Sequence, residues 1–151
     1  MYFGMQAHIG ADAESGLVHK VRRTSDNVHD MTEGNGLLHG DEAVAFGCAG
    51  YQGIEKRPDA KAEVTWHVAM RPSKRKTLDL DNAVDALIDK AEKIKASIQA
   101  KVEHPFRVIK HQFGCVKVRY RGLKKNTPQL VTLVALSNLW MVRGKLMGTQ
   151  G

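Results

Sequence analysis

Two periodicities divide this chain. Up to about residue 70 the apolar positions come in short runs with a period near two; beyond residue 81 they recur every three or four residues. In the first part, Phe3–Ala11 and Leu17–Thr24 flank the turn-forming cluster Asp12-Ala-Glu-Ser-Gly16. This pattern predicts an antiparallel hairpin over residues 3–24. Ala43–Cys48 is a short apolar run bounded by Ala49-Gly-Tyr-Gln-Gly53, which reads as a buried strand ending in a glycine-flanked loop. Val64–Met70, with its β-branched and aromatic residues, is the next strand. Between them Glu55–Lys61 is a polar connection with room for a helical turn after Pro58, and Arg71–Lys76 reads as an exposed basic loop.

The helices follow from the longer period. Asp30 or Thr32 can cap a short helix running to Leu38. Gly34 and Gly36 inside it each cost about 1 kcal/mol relative to alanine, so it is expected to be weak. Val84, Leu87, Ile88, Ala91, Ile94, Ile98 and Val102 share a helical face, with Asp81 or Asn82 as the cap. Pro105 disfavours a helical His104, which predicts a kink and a restart there, with Phe106, Ile109 and Phe113 extending the apolar face. Val116–Gly122 alternates apolar and basic residues as a short strand or an extended arm. A last helix is expected from Asn126 or Thr127, with Pro128 at its first position. Alternating strand and helix signals over 151 residues suit one α/β domain.

Charge changes the picture. The net charge is +7 and the pI about 9.5, which points to a polyanionic partner, nucleic acid before others. The cations concentrate in Arg71–Lys76 and in Lys101–Lys125. Cys48 and Cys115 stand far apart with no Cys-x-x-Cys pair, so neither a zinc site nor a disulfide framework is indicated. Without an export signal or an uninterrupted apolar run of roughly 18 residues, the expected setting is a reducing cytoplasm and no membrane. Glu103 is the single acid between Lys101 and Lys125. It can ligate a metal whose neighbours hold phosphates, or it can be a helix-end carboxylate paired with Arg107 one turn on.

Several blocks carry a family resemblance: Tyr2-Phe-Gly-Met-Gln-Ala-His-Ile-Gly10, Ala49-Gly-Tyr-Gln-Gly53, Trp66-His-Val-Ala-Met-Arg-Pro72 and Lys101-Val-Glu-His-Pro-Phe-Arg-Val-Ile-Lys110. With Val118–Leu123 and Leu136–Trp140 they resemble the carboxyl-terminal half of bacterial insertion-sequence transposases of the DDE class, insertion-sequence-five type. The resemblance implies a ribonuclease-H-like mixed sheet with flanking helices, and DNA as partner. It also implies cleavage and strand transfer by two magnesium ions held on Asp, Asp and Glu. Glu103 matches the third acid and Lys110 the lysine seven positions later, with Arg107 between them. Lys101, Arg119, Arg121, Lys124 and Lys125 are the further DNA-binding candidates.

Three departures from the family pattern stand out. Cys48 occupies the position of the second Asp, and a thiolate is a soft ligand poorly suited to magnesium. Gln99 stands where the family has an arginine. The first Asp belongs to a strand ahead of the Tyr2 block, so the resemblance covers a domain lacking its first strand. Asp12, Asp30 and Asp41 read as turn, cap and loop acids rather than substitutes. The expectation is a truncated transposase domain over 1–151 that does not bind magnesium productively or cut DNA alone. The alternative is a non-enzymatic DNA-binding remnant, or a regulator that associates with intact transposase or with itself.

Overall fold

A computed structural model of the chain describes residues 5–25, 28–115 and 123–148. They form a mixed α/β structure in the order β1 (Met5–Ala11), β2 (Val18–Ser25), α1 (Asp30–Leu37), β3 (Val44–Gly47), β4 (Thr65–Val68), α2 (Pro72–Arg75), α3 (Ala83–His111) and α4 (Leu123–Gly148). Two 3-10 turns, Ala49–Tyr51 and Ile54–Lys56, lie between β3 and β4. The chain divides into two compact units: Met1–Val28 with Lys101–Gly151, and His29–Ala100.

In the first unit the expected hairpin forms. β1 and β2 pair antiparallel from Met5↔Ser25 to Gly10↔Lys20, with a register shift between Gly10 and Ala11. Asp12 builds the turn: its Oδ1 accepts hydrogen bonds from the Ser15 amide, the Ser15 hydroxyl and the Glu14 amide. Those bonds, Ser15's first, hold its carboxyl below the ordinary value. Gly16 closes the turn at φ +72°, where a side chain would be strained. Val18, Ile109 and Val134 make the core, flanked by Ile9, Ala11, Val21, Cys115, Leu130 and Leu133. Asn138 on α4 brackets β2: its Oδ1 accepts from the Val18 amide and its Nδ2 donates to the Val18 carbonyl.

Both helical prolines correct the sequence reading. α3 runs through Pro105 without a break, and α4 begins at Leu123 with Pro128 inside it. A proline at position 105 leaves the Lys101 carbonyl without its helical donor. That carbonyl faces Gly16, so closely that a Cβ there would sit 3.2 Å from it. Pro105 is fully buried, and its own carbonyl accepts from the buried Ser137 hydroxyl at 3.3 Å. Tertiary packing thus holds a helix that local preference would interrupt. α4 is long and apolar enough to cross a membrane by length and composition. Yet Asn126 and Ser137 on it are buried, and Asn138 holds the hairpin, as on a helix of a folded unit.

In the second unit β3 and β4 pair parallel, Val44↔Thr65 to Gly47↔Val68. The strand over 43–48 is only half buried: Ala45 and Gly47 point in, Val44 and Phe46 out. Leu38, Ala45 and Val64 form a small core with Trp66 against it. α1 ends at Leu37 and starts after His29, whose side chain makes no capping bond, so neither Asp30 nor Thr32 is the cap. Gly34 is not a mere weakness: a Cβ there would lie 2.4 Å from Ile54 Cδ1 and 2.8 Å from the Tyr51 ring. The connection has a 3-10 turn at Ile54–Lys56 ahead of Pro58 and a single hydrogen-bonded turn over Pro58-Asp59, the Ala60 amide donating to the Arg57 carbonyl at 3.0 Å; Arg71–Lys76 contains the one-turn helix α2 rather than a loop.

Asn82 caps α3, its Oδ1 accepting from the Val84 amide at 2.9 Å. The predicted apolar face does not form a core here. Val84, Leu87 and Ile94 are 64, 65 and 62% exposed. The buried side of this part of α3 is polar. Glu92 accepts from the Met70 amide and pairs with Lys95, whose ammonium donates to the Val68 carbonyl. Asp89 pairs with Arg75 and Lys93.

Candidate functional site

The residues singled out by sequence fall into both units. Glu103, Arg107, Lys110, Lys124 and Lys125 belong to the first and Cys48 to the second. Arg119 and Arg121, with the arm over 116–122, lie outside the described residues.

In the first unit, Glu103, Arg107 and Lys110 recur at intervals of four and three on α3, which puts them on one helical face. All three are exposed, as is His104. The face is rigidly backed, because Pro105, Val108 and Ile109 on the other side of the same turns are buried. Among the described residues neither Glu103 nor Arg107 takes part in an ion pair, so the pairing between them does not form. Lys101 turns to the hairpin, its ammonium donating to the Ala13 and Glu14 carbonyls at 3.3 and 3.2 Å. Lys124 and Lys125 are exposed at the start of α4. Asp12, the other acid weighed in this unit, has its Oδ1 committed to the turn.

In the second unit, Cys48 directly follows β3, past the carboxyl end of the parallel pair, where α/β sheets place ligands. It is exposed and reduced. The chain turns tightly after it: Gly47 lies against Tyr51, and Tyr51 stacks on Trp66 with centroids 5.9 Å apart. Sequence reasoning set the residue beside it, Asp30, aside as a helix cap, which it is not. A Cβ on Gly50 would lie 3.1 Å from Asp30 Oδ2 and 3.5 Å from Cys48 Sγ, so carboxylate and thiol border the same glycine. Burial, then the charges of Asp30, Cys48 and Glu33, push the Tyr51 hydroxyl above its ordinary value. Nothing in the spacing of residues 30 and 48 signals this meeting; it is made by packing α1 on the turn after β3. Asp41 is an exposed loop acid, as expected, and Gln99 Nε2 is buried with no hydrogen-bond partner among the described residues.

Chemically, the Glu103 face of α3 in the first unit offers one carboxylate beside the cations Arg107 and Lys110, which can hold phosphates. The second offers one hard and one soft donor. A family model described as "Transposase DDE domain" matches residues 2–139. No solved structure matches the chain.

Proposed function

This chain belongs to the transposase DDE domain family, and on that premise we propose that it is an insertion-sequence-five-type domain that holds DNA without cutting or joining it alone. We read the fold as ribonuclease-H-like on the family membership alone; the antiparallel β1–β2 and parallel β3–β4 ladders are two separate two-stranded sheets. The family's metal pair, when bound, activates a water or a 3′-hydroxyl and stabilises the leaving oxygen. The donors of this chain do not fit that pair. Magnesium takes hard oxygen ligands. Cys48 stands at one ligand position, Asp12 is committed to its turn, and the residues sharing Glu103's helical face are the cations Arg107 and Lys110. No catalytic step is assigned to them.

DNA holding rests on one observation above all: the exposed face of Glu103, Arg107 and Lys110 on a helix whose opposite side is buried. A rigid backbone spares the cost of ordering the main chain when its cations meet phosphates, leaving only the side-chain freedom to be lost. Lys124 and Lys125 extend the candidate surface, with Arg119 and Arg121 as sequence candidates; Lys101 is better placed to hold the hairpin. The test is fluorescence anisotropy with duplex DNA across a salt series. Binding should weaken linearly on a log–log plot, and Arg107→Ala with Lys110→Ala should lower the slope by roughly two, about one per lost phosphate contact. Salt-insensitive binding, or none, overturns the reading.

A further inference from the structure

We propose that α3 is also a self-association element, pairing antiparallel with α3 of a second copy of this chain. The apolar positions Val84, Leu87, Ala91, Ile94 and Ile98 are spaced three, four, three and four, the a/d repeat of a helix–helix seam, and Leu80 continues it one step ahead of the helix. Leu80, Val84, Leu87, Ala91 and Ile94 are exposed, and Ile98 is half-buried. The unit does not need this face for its own packing, because it docks the neighbouring one through Asp89, Glu92 and Lys95.

Charge selects the occupant and the direction. From Asp79 to Asp89 every charged residue is an acid: Asp79, Asp81, Asp85 and Asp89. From Lys90 to Lys95, Glu92 and Lys95 are paired with each other in docking the strand end, which leaves the exposed cations Lys90 and Lys93 as a positive half. Parallel pairing would stack acid on acid and base on base. Antiparallel pairing sets each half against its opposite and also opposes the two helix dipoles. The sequence supplies its own register. With the twofold axis at residue 89, Val84 meets Ile94 and Leu87 meets Ala91. Large faces small at the centre, as interdigitating seams prefer.

The seam is short, about 21 Å from Val84 to Ile98 at 1.5 Å per residue. Lys90 also meets its own copy near the axis. Affinity is therefore expected near the micromolar range rather than the nanomolar.

Sedimentation of the whole chain from about 1 to about 200 µM tests this. A monomer–dimer equilibrium is expected. The Leu87→Glu/Ile94→Glu variant should stay monomeric with an unchanged thermal midpoint, since both side chains already face solvent. For direction, in a Cys48→Ser/Cys115→Ser background, mixing Leu87→Cys with Ala91→Cys protein and adding oxidised glutathione as the two-electron oxidant should give disulfide-linked dimers well above either alone. A wild-type chain monomeric throughout, a double variant that still dimerises, or Leu87→Cys linking best to itself would each overturn the proposal.

Discussion

Asn138 and the Glu92–Lys95 pair perform the same task in two regions. Each satisfies backbone groups of a strand or its end: Asn138 the amide and carbonyl of Val18, Glu92 the Met70 amide, Lys95 the Val68 carbonyl. In the hairpin unit the bracket is one neutral amide beside an apolar core, into which the 101–111 part of α3 buries Val108 and Ile109. In the β3–β4 unit the bracket is an ion pair, the ladder has four residue pairs, and the apolar side of the helix stays outside. Where polar groups dock an element, its apolar face is left for something else. On the 101–111 part of α3, docked by apolar groups, the free face is the charged one of Glu103, Arg107 and Lys110.

Removing each bracket should separate the two designs. Glu92→Ala leaves a half-buried ammonium and a strand-end amide without their carboxylate, and should cost about 3 kcal/mol in urea unfolding. Asn138→Ala exposes two backbone groups to an apolar setting and should cost about 2 kcal/mol. The Glu92 effect should shrink in acid and the Asn138 effect should not. Burial raises the Glu92 carboxyl, but the hydrogen bonds from Lys95 and Met70 outweigh it and hold it below its ordinary value. A depressed acid contributes stability above its unfolded value and loses it as pH falls.

Glycines give the next contrast. Gly34→Ala drives a methyl into Ile54 and Tyr51 and should destabilise by about 1.5 kcal/mol despite the helix preference for alanine. Gly144→Ala meets nothing within 4 Å in the helix α4 and should stabilise by up to about 1 kcal/mol. The smallest effect concerns Glu42. Burial raises its carboxyl, but the His39 and Gly40 amides donate to it and bring it down to about 2. Its contribution should be intact above about pH 4.5 and fade towards pH 2, and Glu42→Gln should remove about 1 kcal/mol of it, discounted for solvent screening.

Much of the fold was legible because period-two runs need few long-range facts. The hairpin, β3, β4 and the Asn82 cap all follow from neighbours in sequence. Pro105 and Pro128 were misread because helix breaking is a local preference, and Gly16 and Ser137 cover the backbone groups around Pro105 from far along the chain. The apolar repeat on α3 was correctly seen as a face, but periodicity cannot say what a face meets. At the candidate site, Glu103, Arg107 and Lys110 were each legible in the sequence, but their common helical face was not, because the expected break at Pro105 fell between Glu103 and the other two. Asp30 beside Cys48 was not, since only packing brings them to the same glycine.

The central proposal is that this chain grips DNA with cations and does not cut it alone. Supercoiled plasmid incubated with the chain and magnesium or manganese reads this directly, with Glu103→Ala protein alongside. The account predicts no nicking or linearisation above the Glu103→Ala background. Cleavage that Glu103→Ala abolishes would contradict it.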